Sequence, residues 1–199
     1  MLDFSLFQQY KGLIFDMDGT VVDTMPCHAR AWEMMGEALG YPTKGDVMYA
    51  MGGAPVRTIA MATMQKYGIP LELIDEVIRL KREFGIKMIL EESTLLPAAD
   101  VVKYFYGKLP LALGTGSHRA VVDMVLDKHE IRHYFNAVVT ADDVDKHKPE
   151  PDTFLHCARL MNVEPQHCVV FEDADLGVQA GLSAGMHVFD VRINQLIKG

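Results

Sequence analysis

At 199 residues the chain can bury a substantial core, and its 49% hydrophobic and 23% charged content is ordinary for a globular protein, which excludes disordered, fibrous and membrane classes. A formal net charge of −8 argues against nucleic acid and anionic membranes as partners, because both demand an extended basic surface. The cysteines Cys27, Cys157 and Cys168 are too scattered for a CxxC unit or a disulfide framework and read as small buried apolar residues.

The opening stretch, MLDFSLFQQYKG, has no basic segment leading into an apolar one. No apolar run approaches the roughly 18 to 20 residues that span a bilayer. A cytoplasmic location is therefore expected, with a monomer as the default for a chain this small. Gly12 to Phe15 form an apolar run that ends in Asp16, as expected of a buried parallel strand. From Asp23 to about Glu91 no strand pattern appears. Instead His28, Trp32, Met35 and Leu39, and later Leu73, Val77, Leu80, Phe84 and Met88, recur at helical spacing. Gly52, Gly53 and Pro55 break the pattern into a loop between helices. Apolar runs return at Leu111–Leu113, Ala137–Val139, Val169–Phe171 and His187–Phe189, with helical patterns between them. This alternation predicts an α/β fold with a doubly wound, Rossmann-like parallel sheet and an inserted α-helical cap. The expected division is a discontinuous core of residues 1–22 and 92–199 and a cap of residues 23–91.

In such a sheet, ligands sit beyond the carboxyl ends of the strands. The polar residues that follow the apolar runs are Asp16, Thr115, Asp142 and the pair Glu172-Asp173. Asp16 and Asp18 leave a buried strand and enter a glycine turn, and two like charges so close call for a divalent cation. Glu172 and Asp173 form a second acid pair at a second strand end, which suggests a metal cage. Asp173 would complete its inner shell with Asp16, Glu172 would act through water, and Asp175 reads as a cap for the next helix. Thr115, between Gly114 and Gly116 and followed by Ser117, suits an anion at a helix start, although a plain N-cap by Ser117 explains the same pattern. In His147-Lys148-Pro149-Glu150-Pro151-Asp152 the prolines fix one lysine just ahead of a helix.

Taken in order, Asp16-x-Asp18-Gly19-Thr20, Thr115, Lys148-Pro149 and Glu172-Asp173 with Gly177 resemble the four motifs of the haloacid dehalogenase superfamily. The helical insertion resembles the cap of its β-phosphoglucomutase-like subgroup, which includes fructose-1-phosphatase-type sugar phosphatases. The resemblance implies a cytoplasmic Mg²⁺-dependent phosphatase acting on a small phosphorylated metabolite, such as fructose 1-phosphate. Asp16 would attack phosphorus to give an aspartyl-phosphate, and Asp18 would act as acid and then base. Mg²⁺ would be held among Asp16, Asp18, Glu172 and Asp173. Thr115, Gly116, Ser117 and Lys148 would bind the phosphoryl group. His28, Lys81 and Arg57 resemble cap residues that approach the substrate. Each also has a structural reading: His28 shares an apolar stripe, Lys81 suits a solvated face, and the loop before Arg57 departs from the usual length. A phosphohexomutase would use the same Asp16, a noncatalytic sugar-phosphate sensor would only bind, and metal independence would point to a dehalogenase.

Overall fold

The computed structural model describes residues 3–52 and 54–198. Gly53, part of the loop expected between helices, lies outside the described residues. Strand β1 (Gly12–Phe15) is buried at every position, as a strand covered by helices on both faces must be. The short strand β2 (Val22–Asp23) leads into four helices, α1 (Met25–Leu39), α2 (Asp46–Ala50), α3 (Val56–Tyr67) and α4 (Ile74–Glu92). Strand β3 (Thr94–Leu95) returns antiparallel to β2, pairing Val22 with Leu95 and Asp23 with Thr94. The two ends of the helical insertion thus run side by side.

Helix α5 (Ala98–Phe105), strand β4 (Leu111–Gly114), helix α6 (Arg119–Lys128) and strand β5 (Ala137–Val139) follow. Helix α7 (Asp152–Met161), strand β6 (Cys168–Glu172), helix α8 (Asp175–Ser183), strand β7 (His187–Asp190) and strand β8 (Gln195–Ile197) complete the chain. The sheet order is β5-β4-β1-β6-β7-β8, and every pairing is parallel except that of β8 with β7. This is the doubly wound α/β architecture expected from the alternation of apolar runs. The short strands β2, β3 and β8 were not expected, because two or three residues are too few to display a period-2 pattern.

One face of the sheet packs Leu13, Phe15 and Phe171 against α5 and α6. The other packs Ile14, Ala112 and Val170 against α7 and α8. The insertion has a cluster of its own, in which Trp32 and Met35 of α1 meet Val47, Ile59, Met64 and Val77 from the other three helices. Its longest shared seam joins α1 to α4. The three cysteines are buried and unbridged, as expected. No helix among the described residues is long and apolar enough to cross a membrane.

Candidate active site

Strand β1 lies between β4 and β6, and the chain winds outward from it in both directions, so its carboxyl end is the topological switch point of the sheet. Asp16 follows β1 directly, and its backbone N–H donates to the Phe171 carbonyl of β6 at 3.0 Å. The residue is 5% exposed, and Lys148 Nζ donates to its Oδ1 at 2.6 Å. The same Nζ donates to Glu172 Oε1 at 2.6 Å, and Glu172 Oε2 accepts from the Ala174 N–H at 2.8 Å. Burial opposes the Lys148 charge, but its two carboxylate partners outweigh that cost and lift its amine above the ordinary lysine range. Burial also raises Asp16 well above the usual carboxylate range; Lys148 works against that rise, while Glu172, Asp173 and Asp18 add to it.

Asp18 is bound on both oxygens. Oδ1 accepts from Thr24 Oγ1 at 2.6 Å and faces His28 Nε2 at 3.4 Å. Oδ2 accepts from Ser117 Oγ at 2.6 Å, with Thr115 Oγ1 at 3.5 Å. Burial pushes this carboxyl up, but hydrogen bonds from His28, Ser117 and Thr24 prevail and hold it low. Lys81 Nζ lies 3.1 Å from His28 Nδ1, so a donating ammonium leaves His28 neutral with its Nε2–H directed at Asp18. Burial and Lys81 both lower His28, and burial lowers Lys81 to about 8. Two insertion residues are thereby joined to the core through one carboxylate.

Asp16, Asp18, Thr115, Gly116, Ser117, Glu172, Asp173, His28, Lys81 and Arg57 all line one cavity of about 330 Å³, a size suited to a small metabolite. Lys148 lies beneath it, reached through Asp16 and Glu172. The insertion contributes an apolar wall that includes Met25, Trp32, Met48 and Ile59. Arg57 is at the rim: its side chain is 62% exposed and makes a 3.4 Å contact with Asp75. The sequence reading missed Thr24, which holds Asp18, and Thr20, which donates to Asp173 Oδ1 at 3.1 Å. It also missed Arg82, His118 and His147 in the cavity lining. Hydroxyls close behind the first acid pair were the available signal for both threonines. Trp32, expected only as packing, carries a buried indole N–H that has no partner among the described residues.

Two expectations change. Ser117 does not cap α6, whose N-cap is His118; its hydroxyl goes to Asp18. Asp175 is the first residue of α8, not its N-cap, and pairs with Arg192 at 2.8 Å. All four acids of the expected metal set, Asp16, Asp18, Glu172 and Asp173, line the cavity, and two of them are engaged by protein donors. Hydroxyls saturate Asp18, while Lys148 and a backbone N–H saturate Glu172. Asp16 and Asp173 remain. Burial, then the Glu172 charge, pushes Asp173 up to about 7. Two carboxylates with room for water and phosphate oxygens fit Mg²⁺, which rarely takes an all-protein cage.

A nucleophilic carboxylate, a second carboxylate two residues on, a fixed cation and a hydroxyl-bearing loop together can transfer a phosphoryl group. Residues 10–185 match the haloacid dehalogenase-like hydrolase family. The chain is 56% identical to an uncharacterized protein of Haemophilus influenzae, covering 99% of this chain and 98% of that one. It is 47% identical to the fructose-1-phosphate phosphatase YqaB of Escherichia coli, covering 94% and 100%. The structure of a β-phosphoglucomutase from Clostridium difficile shares the fold, with a TM-score of 0.76 at 23% identity and coverage of 91% and 84%. With the family matched over most of its length, the chain belongs to the haloacid dehalogenase-like hydrolases and is an enzyme of that family.

Proposed function

We propose that the protein is a Mg²⁺-dependent cytoplasmic phosphatase that hydrolyses a sugar phosphate, with fructose 1-phosphate as the leading candidate, through an aspartyl-phosphate on Asp16. The observation that carries this reading is the buried Asp16 carboxylate at the switch point. Lys148 holds one of its oxygens, and the other has no donor among the described residues. Its free Oδ2 bonds to phosphorus as the bond from phosphorus to the sugar oxygen breaks, and Asp18 gives its proton to the departing alkoxide. Asp18 then takes a proton from water, which attacks phosphorus and frees Asp16 and inorganic phosphate.

The donors around Asp18 hold it ionised, so it must gain a proton before it acts as an acid. A phosphate dianion beside it raises the carboxyl, as any like charge does, and Asp18 takes up a proton from solvent as the substrate binds. Thr115, Ser117 and the N–H groups of their loop orient the phosphoryl oxygens. A bound Mg²⁺, held by Asp16 and Asp173, would supply the positive charge that neutralises those oxygens. Glu172 fixes Lys148 and its own loop in place.

Residues 23–91 act as the cap over a core of residues 1–22 and 92–199. The paired linkers β2 and β3 and the separate apolar cluster of α1 to α4 support this division. Fructose 1-phosphate is chosen on the 47% identity to the Escherichia coli phosphatase. A phosphate-release screen over sugar phosphates, with Mg²⁺ and with chelator, tests the reading. Mg²⁺-dependent release from fructose 1-phosphate that disappears in Asp16→Asn is the expected result, and undiminished turnover by that variant would sink it. An isomerised ester in place of inorganic phosphate would reassign the site to a phosphohexomutase, and binding without release to a sensor.

A further inference from the structure

We propose that Lys128 is a positioning residue that pins the hinge of the cap and so sets the alignment of His28 and Lys81 on Asp18. The inference rests on the reading of residues 23–91 as a cap over a phosphatase site. Helix α4 is capped by Ser93, whose extended backbone (φ −65°, ψ 145°) breaks the helix while its N–H still donates to the Ile89 carbonyl at 3.2 Å. Lys128, the last residue of core helix α6, adds a charged donor to that same helix end. Its Nζ donates to the Ile89 carbonyl at 2.7 Å and to the Ser93 carbonyl and Oγ at 3.0 Å each. Ser93 Oγ donates to Ile89 O at 2.7 Å and meets His129 Nε2 at 2.9 Å. An ammonium thus places all three of its donors on one insertion helix end, where a cation also complements the helix dipole.

Helix α6 begins directly after the loop of Thr115 and Ser117, so a single rigid core element holds Asp18 at one end and the hinge at the other. Helix α4 reaches back from the clasp to Lys81, twelve residues away or about 18 Å at the rise of an α-helix. A tilt of about 3° about Ser93 would therefore displace Lys81 by about 1 Å. The contact of His28 with Asp18 is already 3.4 Å, and α1, which carries His28, packs along α4. A shift of that size breaks the contact.

The test compares Lys128→Met with the wild type on fructose 1-phosphate and on acetyl phosphate, whose acetate leaving group needs neither a proton nor the cap. We expect kcat/KM for fructose 1-phosphate to fall about tenfold. The kcat/KM for acetyl phosphate, which reports phosphoenzyme formation and not its Asp18-dependent hydrolysis, should hold within about twofold, and Lys128→Arg, which keeps a cation at the helix end, should recover most of the loss. Equal losses of kcat/KM on both substrates, or none on either, would overturn the proposal. If the wild type fails on fructose 1-phosphate, the substrate reading fails by itself, and hydrogen exchange at the α4 C-terminus still decides the clasp. Faster exchange there in Lys128→Met, with β1 unchanged, supports the clasp, and identical exchange refutes it. Ser93→Ala, which removes one acceptor of the three, should give a smaller change in the same direction and serves if Lys128→Met does not fold.

Discussion

Lys148 is 1% exposed in its side chain, with a carboxylate on either side and the Phe154 ring 4.7 Å from its amine. Removing it strands two buried carboxylates without compensation, a loss of about 3 to 5 kcal/mol. Lys148→Met is thus expected to lower Tm by roughly 10 °C at neutral pH, using 2–4 °C per kcal/mol for a protein of this size. The sign with pH follows from Asp16. Without its cation, a carboxyl already raised in the folded state rises further, so the folded form is favoured when it is protonated. The deficit should shrink as pH falls toward 4, and thermal melts of both proteins across pH check this. Lys81 makes a separate prediction. Burial lowers it to about 8, so it is cationic below that pH and neutral above it. If its charge helps admit an anionic ester, kcat/KM should fall above about pH 8, and Lys81→Gln should lack that limb. A limb that persists in the variant assigns it to another group.

Strands β1 and β4 deliver Asp16 and Thr115 just past their ends and β6 delivers Glu172 and Asp173 at its own, and two nearby glycines are set by what they face. Gly19 adopts φ +85°, and a Cβ on it would collide with the Asp173 carboxylate. Gly177, in the first turn of α8, lies against Glu172, and a Cβ would occupy the place of its carboxylate. Gly177→Ala should therefore drive Glu172 off Lys148 and the Ala174 N–H, destabilising the fold by about 1 to 3 kcal/mol in place of the usual gain from alanine in a helix. Denaturant melts measure this, and unchanged stability would show that Glu172 has room to move. The central strands and the first acid pair were legible in the sequence because a charged residue ending a wholly apolar run is costly without a purpose. Ser117 was not, since a helix cap and an Asp18 donor require the same hydroxyl before the same helix. Thr24 was hidden for a different reason: its partner lies only six residues back, inside a turn whose path no periodicity records. Sequence places four acids near the site but does not show which of them protein donors engage, as Thr24 and Ser117 engage Asp18 and Lys148 and a backbone N–H engage Glu172.

The whole molecule carries a charge of −8, yet its proposed substrate is an anion. The cationic character of the site is local, and the proposed metal is its largest part. Asp173, pushed up to about 7 by burial and then by Glu172, links that metal to pH, and Asp16 is raised in the same direction. A carboxyl whose folded pKa exceeds its unfolded value favours the fold while protonated. That contribution is complete below the ordinary carboxylate range and is lost as pH rises through about 7. Mg²⁺ and the proton compete for the same oxygens, so a fixed Mg²⁺ concentration should stabilise the protein little at pH 5 and progressively more through pH 8. At about a hundred times Kd the stabilisation is about 2.7 kcal/mol, or roughly 5 to 10 °C in Tm at this chain length. Asp173→Asn should abolish the Mg²⁺ shift and reduce the pH slope of the metal-free protein together, leaving the part of the slope that Asp16 contributes. A Mg²⁺ shift that is independent of pH, or that survives in Asp173→Asn, would move the ion away from this strand end.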